Sequence, residues 1–435
     1  MERFALSRMK EWKENENRKP LIIRGARQVG KTWIMKTFGQ QYFEKTAYVN
    51  FDNNARMKQV FEGDLDIERL VLAISAETGV SIEAENTLII FDEVQEVPKA
   101  LTSLKYFYEN APQYAIVAAG SLLGVALHQG TSFPVGKVDF LDLYPLNFRE
   151  FLCAMGEKQF VSMLDSCDTQ MVTVFKTKYI ERLREYYFVG GMPEVVKDFS
   201  EKKDYNRVRA IQKNLINYYQ QDFSKHAEIK LVPRLNLVWN SIPMQLAKEN
   251  KKYIYGQVRE GSRAKDFELA IQWLLDCGLI HKVQRIQKPD LPLKAYIDFD
   301  AFKLFLVDIG LLIAMTDLDA KVIIEGNKIF TEFKGSLTEQ YILQQLISDA
   351  GVIPYYYSTQ NSKGEIDFLV QGKTSVIPIE VKAEENLKAK SLKAFCEKYQ
   401  PSYAVRTSMS DYREQDWMTN IPLYAIKWIE NYVNQ

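Results

Sequence analysis

The chain has 435 residues, 46% of them hydrophobic, enough apolar material for about three domains at roughly 150 residues each. Fifty-six Lys and Arg balance 56 Asp and Glu, so the formal net charge is zero, which excludes a histone-like coat on nucleic acid and a polybasic membrane adaptor. Any site for a polyanion must then be local. The four cysteines, Cys153, Cys167, Cys277 and Cys396, are too scattered for a disulfide framework, and no CxxC pair suggests zinc. The charged start MERFALSRMKEWKENENRKP lacks the apolar core of a signal peptide, and no run approaches the ~20 apolar residues of a spanning helix. A cytoplasmic protein with no membrane segment is expected.

From Lys19 to about Glu150, apolar runs alternate with helical patterns, the rhythm of a parallel α/β sheet. Leu21–Ile23, Ala47–Phe51, Thr87–Phe91 and Ala115–Ala119 are the predicted buried strands. Directly after the first, Gly25-Ala26-Arg27-Gln28-Val29-Gly30-Lys31-Thr32 satisfies G-x-x-x-x-G-K-[ST], with a helix predicted to begin near Thr32. Such glycines let backbone N–H groups curl around phosphate oxygens, the helix amino terminus adds partial positive charge, and Lys31 brings an ammonium to the β and γ phosphates. The Thr32 hydroxyl is a ligand for magnesium. The third strand ends in Asp92-Glu93: Asp92 is expected to hold the magnesium of bound ATP, and Glu93 to orient and deprotonate the attacking water. Ser121, at the tip of the fourth strand, is placed to sense the γ phosphate.

From Phe151 to Asp222 the pattern is helical, broken at Gly190-Gly191-Met192-Pro193. A helix predicted over Ser262–Leu275, followed by strands at 278–283 and 295–299, has the helix-then-hairpin order of a winged helix. Arg259, Arg263, Lys265, Lys282 and Arg285 would be its phosphate contacts, or else a solvated or protein-docking face. The aromatic runs Tyr186-Tyr187-Phe188 and Tyr355-Tyr356-Tyr357 suit base stacking or core packing. His128, His226 and His281 stand too far apart in sequence for a histidine metal centre. Near the end, a hairpin is predicted from Glu365–Val370 and Val376–Val381 around a turn at 371–374. Alternation along its second strand puts Glu380 and Lys382 on one face and Ile379 and Val381 toward the core. Glu339 lies on a helix ahead of it.

The segments RGARQVGKT (24–32), FDEVQ (91–95), AGS (119–121), LYPLNFREF (143–151), GGMPE (190–194), KLFLVDIG (303–310), KGSLTE (334–339) and IPIEVK (377–382) together resemble AAA+ ATPases that carry a carboxy-terminal DUF4143 domain. The resemblance spans nearly the whole chain. It implies an α/β fold: an AAA+-like P-loop NTPase parallel sheet over 1–150, a helical and winged-helix region over 151–300, and an α/β restriction-endonuclease-like domain over 301–435. By the same resemblance, Asp367, Glu380 and Lys382, with Glu339 as auxiliary acid, would form a PD-(D/E)xK metal site. The family usually has Gly-Arg ahead of the Tyr-Pro-Leu segment, whereas this chain has Gly136-Lys137. Lysine supplies a point charge without the guanidinium fork, so Arg149 and Arg27 stand beside Lys137 as candidates to reach a neighbouring subunit's phosphate. The expected function is Mg²⁺-dependent ATP binding and hydrolysis coupled to the carboxy-terminal region. An ATP-regulated metal-dependent DNA or RNA nuclease and a nucleotide-gated scaffold are the alternatives. Nucleic acid and a second copy of the chain are the candidate partners besides ATP.

Overall fold

The computed structural model describes residues 1–120, 133–248, 251–324, 331–359, 364–385 and 389–435. The chain divides into two compact units, one of Glu2–Tyr144 with Asp276–Leu279, the other of Met1, Pro145–Leu275 and Ile280–Gln435. Among the described residues no helix is long and apolar enough to cross a membrane. No disulfide joins the cysteines.

The amino-terminal unit is built on five parallel strands, β1 (Leu21–Arg24), β2 (Lys45–Asn50), β3 (Thr87–Asp92), β4 (Ala115–Ala119) and β5 (Asp139–Asp142), in the order β2-β3-β4-β1-β5. Strands β3 and β4 are buried at every position, as continuous apolar runs require when helices cover both faces. The four predicted strands are all present. Strand β5, Asp-Phe-Leu-Asp, escaped because an edge strand with one buried side chain shows no apolar run. Phe51, Phe61 and Phe91 meet edge to face at centroid separations of 5.4 to 5.7 Å, and Phe91 meets Phe107 at 6.4 Å. Each such pair adds about 0.5–1.5 kcal/mol to the area it buries. This aromatic packing anchors β3, whose carboxyl end carries Asp92.

The carboxy-terminal unit begins with helices, including Lys176–Val189, Pro193–Lys202, Tyr205–His226 and Val232–Leu246. Its mixed sheet contains β6 (Ile280–Ile286), β7 (Ile297–Leu306), β8 (Tyr355–Ser358), β9 (Glu365–Gln371), β10 (Val376–Val381), β11 (Val405–Ser408), β12 (Arg413–Glu414) and β13 (Thr419–Pro422), ordered β12-β13-β11-β10-β9-β8-β6-β7. The helix and hairpin expected of a winged helix both form, as Ala264–Asp276 and β6–β7. Here β6 also pairs in parallel with β8, at Arg285↔Tyr356 and Ile286↔Tyr357, so the hairpin is the edge of the eight-stranded sheet. Strand β7 runs across residue 300 because Ala301–Leu306 is buried and continues the ladder with β6. The β9–β10 hairpin forms as predicted. Both faces of β10 are covered, however, so Glu380 is buried with Ile379 and Val381.

Helix Thr331–Ser348 is buried on all sides from Ser336 through Leu346, although it carries a run of polar residues. Those side chains hydrogen-bond backbone of neighbouring elements. Gln340 accepts from Leu306 N (3.0 Å) and donates to Leu306 O (2.7 Å). Gln344 accepts from Ile309 N (3.1 Å) and donates to the Tyr186 hydroxyl (2.9 Å), while Gln345 accepts from Phe148 N (2.8 Å). Asp308, wholly buried, accepts from Gly191 N (2.6 Å) and Leu311 N (3.1 Å); burial pushes its carboxyl up to about 6. Gly191 is obligatory because a Cβ there would lie 2.1 Å from Leu146 O. Replacing Gln340 by Leu orphans both polar groups of Leu306 at about 1–3 kcal/mol each. Urea unfolding of Gln340→Leu, followed by tryptophan fluorescence, is expected to show a clearly lowered midpoint; an unchanged midpoint would contradict this account of the helix.

Candidate nucleotide site

Strand β1 ends at Arg24, residues 25–30 turn, and helix Lys31–Tyr42 follows. The turn needs unusual backbone: Gly25 has φ 147°, Gly30 has φ 95°, and a Cβ on Gly25 would lie 2.1 Å from Leu143 O. Gly30 supplies no side-chain cap, so the first N–H groups of the helix are left for an anion. The loop is braced from outside its motif. Leu143 N donates to Arg24 O (2.8 Å), and the buried Arg3 guanidinium donates to Val29 O (3.1 Å) and Tyr144 O (2.6 Å). Lys31 Nζ donates to Gly25 O (2.9 Å) and Ala26 O (2.8 Å). Burial pushes its ammonium down to about 8, against the pull of the Glu93 and Asp92 carboxylates.

Because β4 lies between β1 and β3, the turn and the acids flank the carboxyl end of β4, in the crevice where open parallel sheets bind ligands. Asp92 is only 2% exposed, and three donors hold it. Thr32 Oγ1 donates to Oδ2 at 2.7 Å, the Tyr48 hydroxyl to the same oxygen at 2.9 Å, and Glu93 N to Oδ1 at 3.1 Å. Burial, and after it the Asp92 charge, pushes the Tyr48 hydroxyl well above its ordinary range, so it remains a donor. Glu93 sits in the left-handed region at φ 52°, and Gln95 Nε2 donates to its Oε2 at 2.7 Å. Thr32 and Asp92 offer two adjacent hard oxygens, a donor set that suits magnesium, which usually takes few protein ligands and fills its octahedron with phosphate and water. Among the described residues no group of three or more His, Cys, Asp or Glu is arranged to hold a metal. Ser121 and His128 lie outside the described residues. The motif pointed to Lys31, Thr32, Asp92 and Glu93, and the fold brings them together. Arg3 and Tyr48 carry no motif, Gln95 closes the FDEVQ segment without a stated role, and only the fold shows what the three touch.

In the carboxy-terminal unit, Asp367 and Glu380 each lie one residue beyond the Ile379↔Phe368 pair, on the adjacent strands β9 and β10. Glu380 Oε1 pairs with Lys382 at 2.6 Å, and Glu380 Oε2 accepts from Leu392 N at 3.3 Å. Asp367 Oδ2 accepts from Val381 N at 2.7 Å. Glu339 is held by Lys251, and its second oxygen lies 3.7 Å from Lys303 Nζ, which also bonds Glu365. Burial, with the Glu339 charge second, pushes Asp367 up to about 7. Burial opposes the charge on Lys303, yet Glu339, Glu365 and Asp367 outweigh it and hold the ammonium above its ordinary range.

Residues 17–152 match the family model described as AAA domain. The amino-terminal unit contains an AAA-type P-loop domain. Residues 180–322 and 334–426 match two domains of unknown function, DUF8612 and DUF4143. No curated protein matches the chain. Solved structures similar to it include a Walker-type ATPase of Pyrococcus abyssi, at 15% identity over 72% of this chain and 95% of that one, with a TM-score of 0.44. The Aeropyrum pernix Orc1 protein in complex with DNA aligns at 13% identity over 72% of this chain and 91% of that one, with a TM-score of 0.27.

Of the basic residues considered for a neighbouring phosphate, Lys137 of the AAA domain pairs with Glu109 (3.1 Å) and Arg27 is exposed. Arg149 belongs to the other unit, where it is buried and bonded to Asp349 (2.5 Å) and Asp165, so it braces that unit's interior. Arg285 is neutralised by Asp298 (3.0 Å) and Lys282 lies over the Phe302 ring (4.3 Å), whereas Arg259, Arg263 and Lys265 are exposed. Tyr186–Phe188 and Tyr355–Tyr357 are buried in the core, which settles their role as packing.

Folded Lys31 loses its proton near pH 8, whereas an unfolded lysine keeps it to about 10.4. Between those values the unfolded state binds more protons, so this residue's contribution to stability is fully present above about 10.4 and is lost as pH falls through 8. Denaturation at pH 7.5 and pH 10 is expected to show the native chain gaining stability relative to Lys31→Met as pH rises; identical pH dependence in the two proteins would refute the buried, depressed lysine.

Proposed function

We propose that the chain is a Mg²⁺-dependent ATPase that passes its nucleotide state to the carboxy-terminal unit. The observation that carries this reading is the 2.7 Å contact between Thr32 Oγ1 and Asp92 Oδ2, beside a glycine turn that holds the buried Lys31. Bound Mg²⁺ would neutralise charge on the β and γ phosphates. Thr32 and Asp92 would hold it, Tyr48 fixes the Asp92 carboxylate, and the turn's N–H groups with Lys31 would bind phosphate oxygens. Glu93 orients the attacking water and accepts its proton, and Gln95 restrains the carboxylate between turnovers. Coupling is supported by what the turn rests on. Gly25 packs on Leu143 O and Arg3 ties Val29 to Tyr144, the last residues of this unit before the chain continues at Pro145. A shift of the turn on phosphate binding therefore bears directly on the backbone that leaves the AAA domain.

Phosphate release with ATP and Mg²⁺ tests this. Lys31→Ala is expected to abolish turnover, and Glu93→Gln to bind ATP while hydrolysing it about 10²–10⁴-fold more slowly. Full turnover by both variants sinks the assignment. Arg3→Met leaves every phosphate contact in place yet loosens the turn, so kcat/KM should fall by on the order of 10- to 100-fold. The exposure of Arg259, Arg263 and Lys265 favours a second reading, in which a nucleic-acid backbone stimulates turnover. ATPase rates with and without double-stranded DNA across a salt series decide it, and an unchanged rate removes it.

A further inference from the structure

We propose that the acid cluster of the carboxy-terminal unit carries its own cations, Lys303 and Lys251, and is closed to a divalent metal. Its sheet is then an ion-paired scaffold and not a metal-dependent phosphodiester-cleaving centre. The resemblance to PD-(D/E)xK proteins implies a metal among Glu339, Asp367, Glu380 and Lys382, and Asp367 and Glu380 do lie on adjacent strands. The residues around them do not fit that ion.

At least four of the six carboxylate oxygens of Glu339, Asp367 and Glu380 already have a donor. Glu380 gives one oxygen to Lys382 (2.6 Å) and the other to Leu392 N (3.3 Å). Asp367 Oδ2 takes Val381 N (2.7 Å), and Glu339 Oε1 takes Lys251. Among the described residues, Glu339 Oε2 is buried without a hydrogen bond, and it faces the Lys303 ammonium at 3.7 Å.

Lys303 lies outside the E-x-K pattern. It comes from the middle of β7, in the buried run Ala301–Leu306, and is itself 0% exposed. Its ammonium bonds Glu365 and stands over the Tyr356 ring at 4.8 Å. A fixed positive charge between Glu339 and Glu365 repels a second cation strongly, because little water is present to screen it. If it swung away into solvent, Glu365 would lose this partner and Glu339 Oε2 the cation it faces. Lysine is thus the resident cation where the implied chemistry would need magnesium.

Manganese binding to the full-length chain, free of nucleotide and carrying Asp92→Asn to silence the phosphate-loop site, tests this by electron paramagnetic resonance of free Mn²⁺. The expected result is a free-Mn²⁺ signal equal to that of buffer up to millimolar metal. Lys303→Met in the same background removes the internal cation and should raise Mn²⁺ affinity at least tenfold; a folded variant with no gain overturns the role given to Lys303. If that variant does not fold, the parent titration decides alone. One tightly held Mn²⁺ that is lost on Glu339→Gln or Asp367→Asn overturns the proposal. Mn²⁺ held equally by those variants sits elsewhere and leaves the cluster closed. Because no nucleotide is present, the outcome is independent of the ATPase reading.

Discussion

A charge taken out of water must be compensated where it lies, and that requirement shapes both units of this chain. In the AAA domain it fixes Asp92, whose two oxygens are held by Thr32, Tyr48 and the Glu93 amide. Lys31, equally buried, is answered by two carbonyl oxygens of its own turn and by the nearby acids. In the other unit, Arg149 is matched by Asp349 and Asp165, and Asp308 by backbone N–H groups. Neutrality of the whole chain is thus made up of many local neutralities.

The two units apply the same rule to different ends. At the phosphate turn, compensation is incomplete by design of the backbone: Gly30 caps nothing, so N–H groups and a lysine remain to meet an anion. In the acid cluster, compensation is close to complete, with lysines taking up the carboxylates. The first arrangement invites a ligand and the second closes a core. Helix Thr331–Ser348 extends that closure, since its glutamines satisfy backbone at Leu306, Ile309 and Phe148.

Much of the AAA domain was legible in the sequence. The glycine turn is constrained by backbone geometry that few sequences meet, and β3 and β4, with most of β1, are apolar runs that a sheet buried on both faces tolerates. Strand β5 was not legible, because an edge strand buries one side chain in four and shows no run. In the second unit, alternation locates the β9–β10 hairpin and puts Glu380 opposite Ile379 and Val381, whereas the fold buries all three. Residues 262–306 held the right helix and hairpin, but pairing of β6 with β8 joins elements some 70 positions apart, which no local pattern records.

The sequence by itself determined the AAA-type P-loop domain, its buried strands, and the placing of Lys31, Thr32, Asp92 and Glu93 on neighbouring elements, because local backbone geometry and apolar periodicity act over short stretches of chain. Only the tertiary structure decided that Tyr48 shares the Asp92 oxygen with Thr32, that Arg3 braces the turn, that Arg149 lies in an interior, and that Lys303 stands among Glu339 and Glu365. Those partners are distant in sequence, and compensation of buried charge depends on distance in space.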